Sequence, residues 1–180
     1  MGAEMNKKRL ATAYHEAGHA VMAVRLRLRL DATRIAETDD AYGTTIITHS
    51  IGTDDPDQKL TPSVRERIEK EALFHFAGRH AERKFHPKGY RRAHAASDTK
   101  SAVNILSYVE HSSNLLPLYT KWIDGRAKEI ITGPAVWPCV KRLAEALYDV
   151  SEMKGAEVRA FLRGQKQHIC NTRFAKPHKP

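Results

Sequence analysis

Apolar residues recur at three- and four-residue steps from Lys7 to about Leu26. Leu10, Ala13, Ala17, Ala20, Val21 and Val24 fall on one face of an alanine-rich helix. From Arg25 to Leu30 basic and apolar residues alternate, a period of two that competes with the helix's end. The break is therefore placed near Arg27 to Arg29, with a strand across Leu30 to Glu37. A second strand, Gly43 to His49, is rich in β-branched residues and follows the turn-forming pair Asp39 and Asp40. Residues 51–60 read as loop. Thr61-Pro62 then opens a long helix reaching about Phe85, with Thr61 as N-cap and Pro62 at the first helical position. Val64, Ile68, Ala72, Phe76 and Ala77 form its apolar face. After a basic loop with Pro87 and Gly89, Ser97 or Asp98 is expected to cap a helix from Thr99 to about His111. The chain from Leu115 to about Arg163 is mainly helical, with breaks near Gly133-Pro134 and at Gly155. The pattern predicts an α+β, mostly helical domain over residues 1–163, with a small two- or three-stranded sheet near the first helix. A basic tail at 164–180 is expected to be mobile.

Composition narrows the class. Hydrophobic content of 41% and charged content of 28% are those of an ordinary soluble globular protein. Apolar stretches are interrupted by Arg or Lys well short of a membrane-spanning length, so no transmembrane helix and no membrane partner are expected. No secretory signal is visible. Two cysteines, Cys139 and Cys170, are too few for a disulfide scaffold. They read as a packing residue and a tail thiol, in keeping with a cytoplasmic location. The net charge of +9 raises the question of an anionic partner. Residues 83–94 (RKFHPKGYRRAH) contain five Lys or Arg and no acid. Such a loop can follow a phosphate backbone or attract acidic peptides, but more often it is solvated surface. No recognised nucleic-acid motif accompanies it, so nucleic acid is not the expected partner.

Candidate chemistry sits inside the first helix. His15-Glu16-Ala17-Gly18-His19 is an H-E-x-x-H sequence. Residues four apart stack on one helix face, so both imidazoles can approach one metal ion. Zinc accepts neutral imidazole nitrogens, and a catalytic zinc site keeps one of its four positions open. Glu16, one residue past the first ligand, can reach a water activated there without occupying the metal, take its proton, and pass it to a leaving amine. The pattern alone arises by chance in about 4% of shuffled chains of this composition. Its place in an alanine-rich helix, which the chemistry requires, is what strengthens it. A third protein ligand is still needed. Met22 and Arg25 stand where the metzincin extension demands Gly and His, so that class is excluded. Glu66, Glu69, Glu71, Glu82, His94 and Asp98 remain candidates.

These residues resemble the peptidase domain of FtsH, the AAA-linked zinc endopeptidase. The resemblance begins at Ala13-Tyr14-His15-Glu16-Ala17-Gly18-His19-Ala20 and continues through Arg34-Ile35-Ala36 and Ala41-Tyr42-Gly43-Thr44-Thr45. It extends to Ala77-Gly78-Arg79-His80-Ala81-Glu82 and to Ala96-Ser97-Asp98 followed by Ala102, covering roughly residues 8–163. It implies a Zn2+ cofactor held by His15, His19 and Asp98, with Glu16 as general base. It also implies an extended polypeptide substrate lying along the strand that carries Thr44, Thr45, Ile46 and Ile47. Gly78, Arg79 and Glu82 would be structural, Gly78 permitting close helix approach and an Arg79–Glu82 pair bracing the metal helix. His75, His80 and His86 are expected as surface or core residues. No G-x-x-x-x-G-K-[ST] phosphate loop occurs in these 180 residues, and no membrane anchor is expected. The expectation is therefore a stand-alone peptidase that cuts flexible or unfolded segments without its own ATPase. A homo-oligomer and a separate ATPase are the further partners to consider. The alternative is a non-proteolytic, zinc-stabilised binding or regulatory module serving an anionic partner through the 83–94 loop.

Overall fold

The computed structural model describes residues 2–36, 43–48, 60–90 and 95–164, with side chains from Lys7 onward. Element order is α1 (Gly2–Leu26), β1 (Leu30–Ile35), β2 (Gly43–Ile47), α2 (Pro62–Phe85), α3 (Ala96–Leu106), α4 (Leu116–Thr132), α5 (Trp137–Val150), β3 (Glu152–Lys154) and α6 (Gly155–Arg163). This is an α+β, mostly helical fold with one small sheet, as the hydrophobic pattern predicts.

The alternation from Arg25 to Leu30 turns out to straddle a helix stop. Arg27 takes a left-handed φ of 59°. Its N–H donates to the Val24 carbonyl at 3.2 Å, and the Leu28 N–H donates to Ala23 at 2.9 Å, which together make a Schellman end. Leu26, Leu28 and Leu30 all turn into the core, while Arg27 and Arg29 face water. The chain thus leaves the helix and enters β1 without losing its apolar anchor.

β1 is the central strand of an antiparallel sheet ordered β2-β1-β3. A register shift between Leu30 and Ala32 resets the alternation, so that Thr33 and Ile35 face inward. Thr33 stands opposite Thr45 on one side and Met153 on the other. β3 is only three residues long, and Glu152-Met153-Lys154 carries no strand signature in the sequence. It forms because Ser151, at a φ of 64°, ends α5 and turns the chain alongside β1. The expected break near Gly155 is the β3 segment between α5 and α6, and Gly155 itself opens α6. A side chain there would run into the Leu30 carbonyl, so the start of α6 lies flush on β1.

The core is centred on α1, which packs against both α2 and α5. Contact between α1 and α2 is close because small residues meet. A Cβ on Gly18 would lie 2.7 Å from the Ala81 Cβ and 2.9 Å from the Ala77 carbonyl. Thr61 caps α2, its hydroxyl accepting from the Val64 N–H at 3.3 Å. Gly133 and Pro134 separate α4 from α5, as expected. The expected cap of α3 is corrected. The helix begins at Ala96, its N-cap Ala95 offers no side chain, and Ser97 and Asp98 lie within the first turn. Asp98 is turned toward α1 instead of back to the backbone. α3 also stops at Leu106, five residues before His111, in a turn over 107–109. Glu37, the Asp39–Asp40 turn, His49, the 51–59 loop, Arg91 to His94 and the tail from 165, with Cys170, lie outside the described residues. Cys139 is buried on α5 and is disulfide-bonded, which corrects its reading as a plain packing residue.

Candidate metal centre

His15 and His19 lie one turn apart on α1, ring centroids 4.8 Å from each other, and both are buried. Asp98, in the first turn of α3, places its Oδ2 3.0 Å from His15 Nε2 and 3.2 Å from His19 Nε2. Three candidate ligand atoms, one from each residue, lie within 4.8 Å of one another. In a tetrahedral zinc site, donor atoms stand roughly 3.3 Å apart.

The far side of each ring is also engaged. His15 Nδ1 is 2.9 Å from Glu82 Oε2, and His19 Nδ1 is 2.8 Å from the Phe74 carbonyl oxygen. A carbonyl can only accept, so His19 Nδ1 carries the proton. With Nδ1 so committed, Nε2 faces a carboxylate oxygen at 3.2 Å, and these two atoms need a proton or a cation between them. His15 shows the same demand. Burial opposes its charged form, yet hydrogen bonds to Asp98 and Glu82 and the charges of Glu16 and Asp98 outweigh burial and push the imidazole up to about 10. Burial also opposes ionisation of Asp98, but His15 and His19 hold it well below the usual carboxylate range. Two imidazole nitrogens and one carboxylate oxygen, each imidazole oriented through its other nitrogen, make a donor set that fits a divalent zinc.

The spacing on α2 explains how this cage is built. Phe74, Gly78 and Glu82 recur every four residues on the face turned to α1. The first supplies a carbonyl to His19 and the last a carboxylate to His15. Gly78 supplies room: a Cβ there would lie 2.7 Å from both Cδ2 and Nε2 of His15 and closer still to His19 Nε2.

Glu16 stands beside this cluster and is held by the sheet. Thr45 Oγ1 donates to Glu16 Oε2 at 2.7 Å, and the Thr33 hydroxyl lies 2.9 Å behind Thr45. Gly43 approaches from the same strand, where a Cβ would lie 2.6 Å from Glu16 Oε1. The other β2 candidates divide by face. Ile47 is buried, Thr44 is half-buried, and Ile46 is 41% exposed. Among the described residues β2 pairs only with β1, and no described strand lies along its outer edge.

The remaining candidates for a third ligand are occupied elsewhere. Glu66 pairs with Lys70, and Glu69 accepts from Arg65 and from the Tyr119 hydroxyl. Glu71 is buried on α2 and Glu82 sits behind His15. His94 lies outside the described residues. The expected Arg79–Glu82 pair is corrected, because the two side chains diverge. Glu82 turns to His15, while Arg79 crosses to Asp124 on α4 and to the Thr99 hydroxyl on α3. His80 joins Asp124 at 2.6 Å. His75 is half-buried on α2 beside Phe74, and His86 follows the end of that helix. The Phe74 carbonyl is the site partner that sequence reasoning missed, and Glu82, named there as a candidate ligand or brace, supports His15 from behind instead. Their shared four-residue step with Gly78 was the available signal.

The described part of the basic loop contributes to a cleft of about 710 Å³ between α2 and α3. Its walls include Arg79, Arg83, Tyr90, Thr99 and Lys100. Among the described residues, no helix is long and apolar enough to cross a membrane. No family model matches the chain, and no curated protein matches it.

Proposed function

We propose that this protein is a zinc-dependent endopeptidase that hydrolyses peptide bonds in flexible or unfolded polypeptides, similar in kind to the peptidase domain of FtsH. One observation carries the reading. Two imidazole nitrogens from α1 and a carboxylate from α3 turn toward one point, while a separate carboxylate, Glu16, is held next to them by Thr45. A metal cluster serving stability alone has no use for that fourth group.

His15, His19 and Asp98 would hold the zinc, which when bound polarises a peptide carbonyl and lowers the pKa of a water toward about 7. Glu16 takes the proton of the attacking water and returns it to the departing amine nitrogen. Glu82 and the Phe74 carbonyl keep both imidazoles in the tautomer that leaves Nε2 free to coordinate. The outer edge of β2, beside which no described strand lies, would offer backbone groups to an extended substrate, with Thr44 and Ile46 on the face turned away from Glu16. Folded substrates would need a separate ATPase to unfold them. A cytoplasmic location belongs to the same proposal and rests on no feature of the cysteines, since Cys139 is disulfide-bonded.

The second reading is a non-proteolytic zinc module with an anionic partner, and the basic cleft beside Arg83 and Lys100 favours it. One experiment separates the two. The zinc-loaded chain is incubated with a fluorescently labelled unfolded polypeptide, with and without chelator, beside a Glu16→Gln variant. The variant is expected to keep its zinc and to lose about 100- to 10,000-fold in cleavage rate. Chelator-sensitive cleavage that survives in the variant would refute the role of Glu16. Zinc binding with no cleavage by either protein would leave the module reading.

A further inference from the structure

We propose that Thr45, backed by Thr33, is the positioning residue of the general base. The hydroxyl pair fastens Oε2 of Glu16 and so assigns proton transfer to Oε1. This deepens the peptidase reading and rests on it.

A hydroxyl has one proton to donate and two lone pairs to accept with. Thr45 Oγ1 lies 2.7 Å from Glu16 Oε2, 3.2 Å from the Glu16 carbonyl and 2.9 Å from Thr33 Oγ1. The carboxylate is both the nearer and the charged acceptor, so it takes the Thr45 proton. Thr33 is fully buried, and the Thr45 oxygen is the acceptor facing its hydroxyl. The order of donation is therefore Thr33 to Thr45 to Glu16. In such a chain each bond polarises the next, so Thr45 donates more strongly than an isolated threonine.

The placement of these groups follows from the sheet. Thr33 and Thr45 are register partners on the central and edge strands, and Thr33 is fixed from its other side by pairing with β3. Gly43, two residues before Thr45 and on the same face of β2, lies against Glu16 Oε1 with no side chain in the way. The carboxylate is held on one oxygen and given space on the other. An oxygen already accepting a charge-assisted hydrogen bond is the weaker base, so the proton goes to Oε1. The Thr45 side chain then belongs to the machinery of Glu16 and not to substrate recognition.

The test compares Thr45→Val, Thr45→Ser and Thr33→Val in the zinc-loaded protein. Thr45→Val keeps the shape and removes the hydroxyl. It is expected to retain full zinc stoichiometry and an unchanged KM while kcat falls about 10- to 100-fold, the scale of a misaligned reacting group. Thr45→Ser should recover kcat to within about threefold of the parent, and Thr33→Val should fall between the two, because it weakens the donor without removing it. A second readout does not depend on turnover. In crystals of the metal-free proteins, Glu16 should hold one rotamer in the parent and in Thr45→Ser and spread over more than one in Thr45→Val. An unchanged kcat, or a single unchanged Glu16 rotamer in Thr45→Val, overturns the proposal. If neither chelator nor Glu16→Gln stops cleavage, the peptidase reading fails by itself, and the rotamer comparison still decides whether Thr45 holds Glu16.

Discussion

Gly78 on α2 lies against the Nε2 edge of His15: a methyl group at residue 78 would stand 2.7 Å from that nitrogen. Gly78→Ala should raise helix propensity by about 1 kcal/mol. The overlap with both imidazoles opposes that gain, and overpacking of this kind costs about 1–3 kcal/mol. The net expectation is a folded protein with a lowered thermal midpoint and at least a tenfold loss of zinc affinity. Unfolding curves and zinc titration of the variant check both. Parental zinc affinity in Gly78→Ala would show that the helices can part without disturbing the ligands.

Glu82 faces His15 from behind, 2.9 Å from Nδ1, and is itself buried. Glu82→Gln preserves the shape and an accepting oxygen but removes the charge that makes His15 a better donor to a metal. Changes to such supporting partners lower metal affinity by about 10- to 100-fold, and the conservative amide should sit at the low end of that range. Competition against a chromophoric chelator measures it. An affinity equal to that of the parent would remove Glu82 from the site.

The metal-free protein should show a pH dependence set by His15. Its folded pKa is raised to about 10 from an ordinary value of 6.5. The folded state therefore holds a proton that the unfolded chain releases between those values. The associated stability is complete below about pH 6.5 and is lost as pH rises toward 10. Zinc must displace the same proton, so apparent zinc affinity should climb by about tenfold per pH unit between pH 7 and 9. Denaturant midpoints across pH 6 to 10, in chelator, test the first claim and zinc titrations the second. Metal-free stability that rises across this window would contradict the environment described for His15.

The large features of the fold were readable because they rest on local rules. The cap and proline at Thr61-Pro62, the four-residue recurrence from Leu10 to Val24 and the H-E-x-x-H spacing each follow from helix geometry alone. The misses needed information from distant chain. The cap expected at Ser97 or Asp98 failed because Asp98, which the resemblance but not its neighbours marked as a ligand candidate, turns to two imidazoles some eighty residues earlier. β3 has no pattern of its own, since three residues paired to one neighbour cannot display a period. The Arg79–Glu82 expectation was wrong for a related reason. Residues three apart can pair on a helix, but Asp124 and His15 approach from opposite sides and separate them.

Asp98 is the one proposed ligand that does not come from α1, so it decides whether metal binding reports on tertiary structure. Zinc held by three ligands should stabilise the chain by mass action, by about 2.7 kcal/mol at a free concentration 100 times the dissociation constant. Asp98→Asn keeps the size of the side chain and a carbonyl oxygen but removes the negative charge that faces His15 and His19. Two consequences should separate. In chelator, the variant loses the charged pairing with His15 and should melt below the parent, most clearly near neutral pH where His15 carries its proton. On adding zinc, the parent's thermal midpoint should rise by several degrees, while that of Asp98→Asn should rise little, because the α1 imidazoles alone bind weakly and no longer tie α3 to α1. A smaller shift with an unchanged metal-free midpoint would place Asp98 in the coordination sphere but not in the fold's own balance. A full zinc-dependent shift in Asp98→Asn would remove Asp98 from the ligand set and return the third position to another group.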